Sequence, residues 1–258
     1  MKVAILQLAF NQDDNKAARI SRVENILDQV KGADLVLLPE VWNIGYFAFD
    51  QYKSQSETLE GETIACLAAK AKEHGMYIYA GSFIERDGEK LYNGTALLDR
   101  KGDICGHYRK IHLFGIGSEE RKYLSPGDKV TVCDTDFGKV GLSICYDVRF
   151  PELHRRMAAA GAEIILSCAA WPYPRVENWL VLNQARAIEN QCFYLTCGCA
   201  GSSSGKGFIG RSMAVDPWGN IVTSAGERET ILQFDINPED VAQCRGQLSF
   251  LKDRILSF

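Results

Sequence analysis

The chain has 258 residues, 46% of them hydrophobic, enough to bury one large core, and a single domain over residues 1–258 is expected. A formal charge of -4 leaves no basic footprint, which argues against nucleic acid and anionic membrane as partners. Nine cysteines scattered along the chain are not a secreted disulfide framework, no apolar run reaches about 18 residues, and the first residues enter a strand pattern directly rather than a leader; a cytoplasmic protein with reduced core thiols is expected.

In chain order, residues 3–8 read as a strand and 15–30 as an amphipathic helix whose inner face is Ala18, Ile20, Val23, Ile26, Leu27 and Val30. Residues 35–38 are the next strand, 63–74 a helix stopped by Gly75, and 77–83 one further strand. Residues 91–99 and 104–108 suggest a hairpin turned at Lys101-Gly102. A short strand ends at Ile144, Pro151 opens a helix over 151–160, and a strand over 163–168, a helix over 176–190 and a strand over 192–197 follow. The two halves look similarly built, which suits two packed sheets with outer helices. Residues 202–207, Ser-Ser-Ser-Gly-Lys-Gly, read as a flexible surface loop.

Three of these runs end in chemistry. The strand before Pro39 delivers Glu40, the segment around Ile111 and Leu113 places Lys110 at a strand end, and the run to Ile144 delivers Cys145 at a turn ahead of a helix. A helix N-terminus and a nearby cation favour thiolate there, and thiolate is the form that attacks a carbonyl. A carboxylate in a dry pocket can take the thiol proton, give it to a leaving amine and then activate water, so Glu40 fits a general base. Lys110 and the Tyr146 backbone amide fit the stabilisation of the oxyanion that develops during attack. The sum is hydrolysis of a carbon–nitrogen bond. The bland alternatives are a buried structural thiol and a structural Glu40–Lys110 ion pair.

Leu38-Pro39-Glu40, Tyr108-Arg109-Lys110-Ile111-His112-Leu113-Phe114 and the stretch from Gly141 through Cys145 to Leu153 resemble the Glu-Lys-Cys signatures of the nitrilase superfamily, the carbon–nitrogen hydrolases. The likeness runs over nearly the whole chain, including Tyr92-Asn93-Gly94-Thr95-Ala96 and the segment from Gly210 to Gly219. It implies an α/β fold, a four-layer αββα sandwich with two mixed sheets and outer helices, pairing into a homodimer, with no metal and no organic cofactor. It also implies a second glutamate that holds the lysine; Glu120 is favoured by its distance from Pro126-Gly127-Asp128, and Glu119 stays open, since a Glu-Glu-Arg-Lys run is more often a solvated face.

The loop after the strand ending at Cys168 would overhang the sulfur. Its Arg175 could clamp a substrate carboxylate bidentately, or pair with Glu177 on the surface. Trp171 and Tyr46, with Trp42 and Phe47, are candidate apolar walls. The Trp171-Pro172-Tyr173-Pro174-Arg175 loop resembles omega-amidase-like members of the family, which implies a small carboxylated amide such as 2-oxoglutaramate as substrate. An N-carbamoyl amine or amino-acid hydrolase is the alternative, and a redox-sensing protein with Cys168 resolving Cys145, or an idle binding protein, is the alternative of another class. His107 and His112 are expected to be structural, as is the Cys197/Cys199 pair. The apolar C-terminal tail, 246–258, could cross to a neighbouring subunit or cover its own core.

Overall fold

A computed structural model describes residues 1–10, 14–248 and 250–256. In chain order it contains β1 (Lys2–Gln7), α1 (Lys16–Gln29), β2 (Leu35–Leu37), α2 (Tyr52–Gln55), α3 (Glu62–His74), β3 (Tyr77–Tyr79), β4 (Phe83–Asp87), β5 (Lys90–Leu98) and β6 (Ile104–Arg109). There follow α4 (Glu120–Tyr123), β7 (Val132–Thr135), β8 (Gly138–Ile144), α5 (Pro151–Ala159), β9 (Ile164–Ala169), α6 (Val176–Asn190) and β10 (Phe193–Gly198). The last elements are β11 (Ser202–Ser203), β12 (Lys206–Gly207), β13 (Met213–Val215), β14 (Ile221–Ser224), β15 (Thr230–Asp235) and α7 (Glu239–Gln247).

One mixed sheet has the order β15-β1-β2-β3-β5-β4, with β6 also pairing β5; the other runs β14-β13-β10-β9-β8-β7. Strand periodicity explains why both faces of the first sheet are dry. Val3 and Ile5 of β1 point to a core shared with Leu142, Ile144, Ile164 and Leu166 of the second sheet, while Ala4 and Leu6 point to a core shared with Val23 and Leu27 of α1 and Ile64 and Leu67 of α3. Leu67 is fully buried in that outer layer, and Leu67→Ala would cost about 2–5 kcal/mol. Helices α5 and α6 cover the second sheet through Leu153, Met157, Trp179 and Ala187. The layers are helix, sheet, sheet, helix, as the sequence implied.

Several details differ from the sequence expectation. Ala18 is exposed and Arg19 is buried instead, because the inner stripe of α1 follows 19/20, 23 and 26/27 and leaves Ala18 outside it. The strand expected over 77–83 is two, broken at Gly81, which has φ +68 and lies so close to Pro39 O and Leu38 that a side chain would collide. Residues 202–207 are the paired strands β11 and β12 with Ser204 and Gly205 at positive φ, a hairpin rather than an irregular loop. The two halves do not fold separately either: β15 returns to pair antiparallel with β1. In the tail, Leu248, Phe250, Ile255 and Leu256 are exposed instead of covering their own core; Ser249, Ser257 and Phe258 lie outside the described residues.

Candidate active site

Glu40, Lys110 and Cys145 arrive from three strand ends at one place. Glu40 follows β2 by way of Pro39, whose carbonyl is held by Ser82 N at 3.1 Å. Lys110 follows β6; its N–H donates to Asn93 O and its carbonyl accepts from Gly127 N, each at 2.9 Å. Lys110 Nζ is 2.9 Å from Glu40 Oε1 and 2.9 and 3.1 Å from the two oxygens of Glu120, and all three side chains are 0% exposed.

The remaining lone pairs of the two carboxylates are satisfied. Asn93 Nδ2 bridges them, at 2.8 Å from Glu40 Oε1 and 3.0 Å from Glu120 Oε1. The Ala170 N–H donates to Glu40 Oε2 at 2.6 Å, the Phe114 N–H to Glu120 Oε2 at 2.6 Å, and the Tyr46 hydroxyl to Glu120 Oε2 at 3.4 Å. Burial lowers the ammonium's affinity for its proton, but the fields of Glu120 and Glu40 outweigh it and hold Lys110 well above the ordinary lysine range. Burial raises the Glu120 carboxyl, against the pull of Lys110. Between the two candidate glutamates the geometry decides for contact by Glu120, while Glu119 is an exposed residue 3.7 Å from Lys122.

Cys145 has φ +50, left-handed backbone that only a few non-glycine residues adopt, and begins a 3-10 turn over Cys145–Arg149. Pro151 opens α5, as expected, but that turn stands between it and the sulfur. Asp147 holds the turn. Its buried carboxylate accepts from Ile144 N at 3.0 Å, Tyr108 Oη at 2.7 Å, and His112 N and Nδ1 at 3.1 and 2.8 Å. His112 also stacks on Phe150 with ring centroids 3.6 Å apart, and His107 bonds Glu85 at 2.8 Å, so both histidines serve packing.

The expected lowering of the thiol's pKa is not what the site produces. Burial, then the negative charge of Glu40, push the Cys145 thiol well above the ordinary range, and Lys110 only partly offsets them. The reason is stoichiometry: two carboxylates share one ammonium, so the excess local charge is negative. A thiol in the field of Glu40 is a nucleophile that ionises as its proton leaves.

The sulfur reaches a narrow cavity of about 20 Å³, room for about one water. Tyr46, Phe114, Tyr146, Trp171 and two arginines, Arg149 and Arg175, form its walls. A larger cavity of about 290 Å³ lies beyond Glu40, against Arg19 and Trp42, and Cys145 is not on its wall. Arg175 makes no ion pair with Glu177; it donates to Pro172 O at 3.4 Å and sits 5.4 Å over the Phe114 ring. Arg149 bonds Asn178 Oδ1 at 3.1 Å and sits 5.0 Å over the Trp171 ring. Two cations with no carboxylate partner among the described residues thus flank the thiol's cavity.

Trp42 and Phe47 are not on that wall: Trp42 is core, donating to Ala80 O at 2.9 Å, and Phe47 stacks on Phe208. Cys168 is buried between the two sheets, where its sulfur accepts from Tyr79 Oη at 3.4 Å. Cys197 and Cys199 donate to Leu6 O and Glu40 O at 3.2 and 3.4 Å. Asn93, Phe114, Asp147 and Arg149 belong to the site without having been singled out from sequence. A signal existed for Asn93, an amide in mid-strand beside a glycine, where neither residue favours a ladder.

The sequence profile of the carbon–nitrogen hydrolases matches residues 2–246. A 2-oxoglutaramate amidase of Bacillus subtilis (strain 168) is 36% identical over 98% of this chain and 98% of its own length. The omega-amidase NIT2 of Mus musculus is 36% identical over 98% of this chain and 94% of its own. The crystal structure of Saccharomyces cerevisiae Nit3, a member of branch 10 of the nitrilase superfamily, superposes with a TM-score of 0.90 at 32% identity, covering 99% of this chain and 97% of that one. The chain therefore belongs to the carbon–nitrogen hydrolase family of the nitrilase superfamily.

Proposed function

We propose that this enzyme hydrolyses the terminal amide of a small carboxylated amide of the 2-oxoglutaramate kind, through a thioester on Cys145, and releases ammonia. One observation carries the reading: a buried thiol shares a site with a two-carboxylate, one-ammonium cluster, under a cavity flanked by two arginines.

Glu40 takes the Cys145 proton as sulfur attacks the amide carbon, so the thiolate never has to exist free in a dry, negative site. Lys110 and the Tyr146 N–H stabilise the oxyanion. Glu120, with Asn93, keeps Lys110 aimed and charged. Collapse of the tetrahedral species expels ammonia, protonated by Glu40, and the same carboxylate then draws a proton from water as it attacks the thioester. Arg175 holds the substrate's carboxylate, with Trp171 and Tyr46 as walls that must part to admit it. No step calls for a metal or organic cofactor.

Mass spectrometry of the enzyme mixed with 2-oxoglutaramate should trap an acyl adduct on Cys145, and ammonia release should exceed that from simple amides, nitriles and carbamoyl amino acids. Faster release of carbon dioxide with ammonia from a carbamoyl compound would replace the reading with the carbamoyl-hydrolase one; a peroxide-dependent disulfide on Cys145, with no acyl adduct, would overturn it. Arg175→Ala should raise KM at least tenfold for carboxylated amides and little for neutral ones. Equal losses on both classes would remove the clamp.

Nine unpaired cysteines support a reducing, cytoplasmic setting for one domain over 1–258. The exposed apolar side chains of the tail support a homodimer in which residues 246–258 cross to the partner. Light scattering on the full chain and on a chain ending at Gly246 tests this: a monomeric full chain sinks the dimer, and an unchanged dimer sinks the tail's part in it.

A further inference from the structure

Two cysteines that the hydrolytic site does not use meet at the open edge of the sandwich. Cys105 is on β6, in the first sheet, and Cys133 is on β7, the edge strand of the second. The strands pack against one another, Thr131 Oγ1 of the second-sheet segment donates to His107 O of β6 at 2.7 Å, and a methyl group placed on Gly106 would lie 2.7 Å from the Cys133 sulfur. Each thiol donates to a carbonyl of its own sheet, Leu97 O at 3.3 Å and Val140 O at 3.5 Å, and the two sulfurs are close enough to shift one another's titration. Both are half-buried, within reach of a small oxidant. Cys66, the third half-buried cysteine, faces Glu24 and not another sulfur.

We propose that Cys105 and Cys133 are a reversible disulfide site, closed by a small peroxide, that staples the two sheets together. The pair sits at matched positions. Cys105 stands five residues before Lys110 along its strand, and Cys133 pairs with Val140, five residues before Cys145. The bond therefore ties the strand that delivers the cation to the hairpin that delivers the thiol.

Cys105 is the attacking sulfur: the neighbouring Cys133 outweighs burial and lowers its pKa, while Cys105 and burial together raise Cys133. Cys105 thiolate attacks one peroxide oxygen, the O–O bond breaks, and the departing hydroxide takes a proton to become water. Cys133 then attacks the sulfenic sulfur; the S–S bond forms, the S–O bond breaks, and hydroxide leaves with the Cys133 proton as a second water. Two thiols lose two electrons and one peroxide is reduced to two waters. Closing the loop 105–133 restricts the unfolded chain, so the oxidised protein should melt higher, by roughly 5 °C or more.

The full chain, treated with hydrogen peroxide and separately with diamide, is digested without reductant and mapped by mass spectrometry. Expected are one peptide pair joined through Cys105 and Cys133, lighter by two hydrogens and separated by dithiothreitol, and a melting temperature that rises on oxidation and falls back on reduction. In Cys133→Ser, checked for native circular dichroism, Cys105 should instead be trapped by dimedone as the sulfenic acid and the rise should vanish. Recovery of both cysteines as thiols or as separate oxygen adducts under both oxidants would overturn the site. A cross-link with an unchanged melting temperature would overturn the staple. Neither readout depends on amide hydrolysis, so its failure is distinguishable from failure of the hydrolytic reading.

Discussion

Lys110 and Lys70 are each held between two carboxylates. Lys110 lies between Glu40 and Glu120, all fully buried; Lys70 lies 2.6 Å from Asp28 and 3.0 Å from Glu73, whose side chains are 45% and 57% exposed. In both places the ammonium is held above its ordinary range by its partners. Composition and distance are alike, yet the consequences differ, because water can replace either partner around Lys70 and neither around Lys110. The buried trio also needs an amide and two backbone N–H groups to complete it. Such a cluster is a costly arrangement, and its cost is what keeps a carboxylate and an ammonium fixed beside a thiol.

The sharpest way to break the comparison is to remove the cation. Lys110→Met should leave two buried carboxylates facing each other and cost about 3–5 kcal/mol of stability, read as a lower urea midpoint, with loss of ammonia release. Losing Lys110's field also raises the Cys145 thiol further, so iodoacetamide alkylation at fixed pH should slow. A stable variant that alkylates faster would mean that the cluster carries less charge than its geometry implies.

A buried titratable group kept neutral extends the same rule. His154 is fully buried, Nδ1 donating to Phe150 O at 3.1 Å and Nε2 accepting from Tyr194 Oη at 3.0 Å, and burial lowers its pKa from 6.5 to about 4. The unfolded chain therefore binds more protons between those values. Stability rises with pH across that window, and as pH falls from about 6.5 to about 4 this group removes roughly 3 kcal/mol. Urea midpoints measured over that range should fall more steeply in the parent than in His154→Gln; parallel curves would place the acid sensitivity elsewhere.

Removing one carboxylate rather than the cation should be milder. Glu120→Gln leaves Lys110 paired with Glu40, and the amide oxygen can still accept from Phe114 N, so a loss of about 1–2 kcal/mol is expected. Glu120 is one of the charges that raise Cys145, so its alkylation profile should move to lower pH. An unmoved profile would show that Glu120 and the sulfur do not share a field.

The layers and the three strand ends were legible because apolar runs, proline and glycine carry local information: β1, β2 and β9 read as buried strands, and Gly75 stops α3 in the left-handed conformation expected. The break at Gly81 was not, since it answers to the Pro39 carbonyl across the fold, and no local pattern reports a neighbour that close. Arg19 inside α1 escaped for the same reason: its reach to Trp42 O, at 3.3 Å, is tertiary. In the site, residue type located acid, cation and thiol. The protonation of Cys145 did not follow, because it depends on how many carboxylates share Lys110, a count made only in three dimensions.

The smallest expected effect belongs to Lys70, whose carboxylate partners are exposed. In Lys70→Met, Asp28 keeps its 2.7 Å contact with His74 Nε2, and both carboxylates can turn to water. No partner is stranded, so neither the urea midpoint nor ammonia release should move measurably, at low or high salt. The lowered pKa of Asp28, which rests first on its hydrogen bond from Lys70, should return toward the ordinary carboxylate range, and carbon-detected titration of that side chain would follow it. A stability loss comparable to that of Lys110→Met would mean that the pattern of charges, and not its distance from water, sets the energy of both clusters.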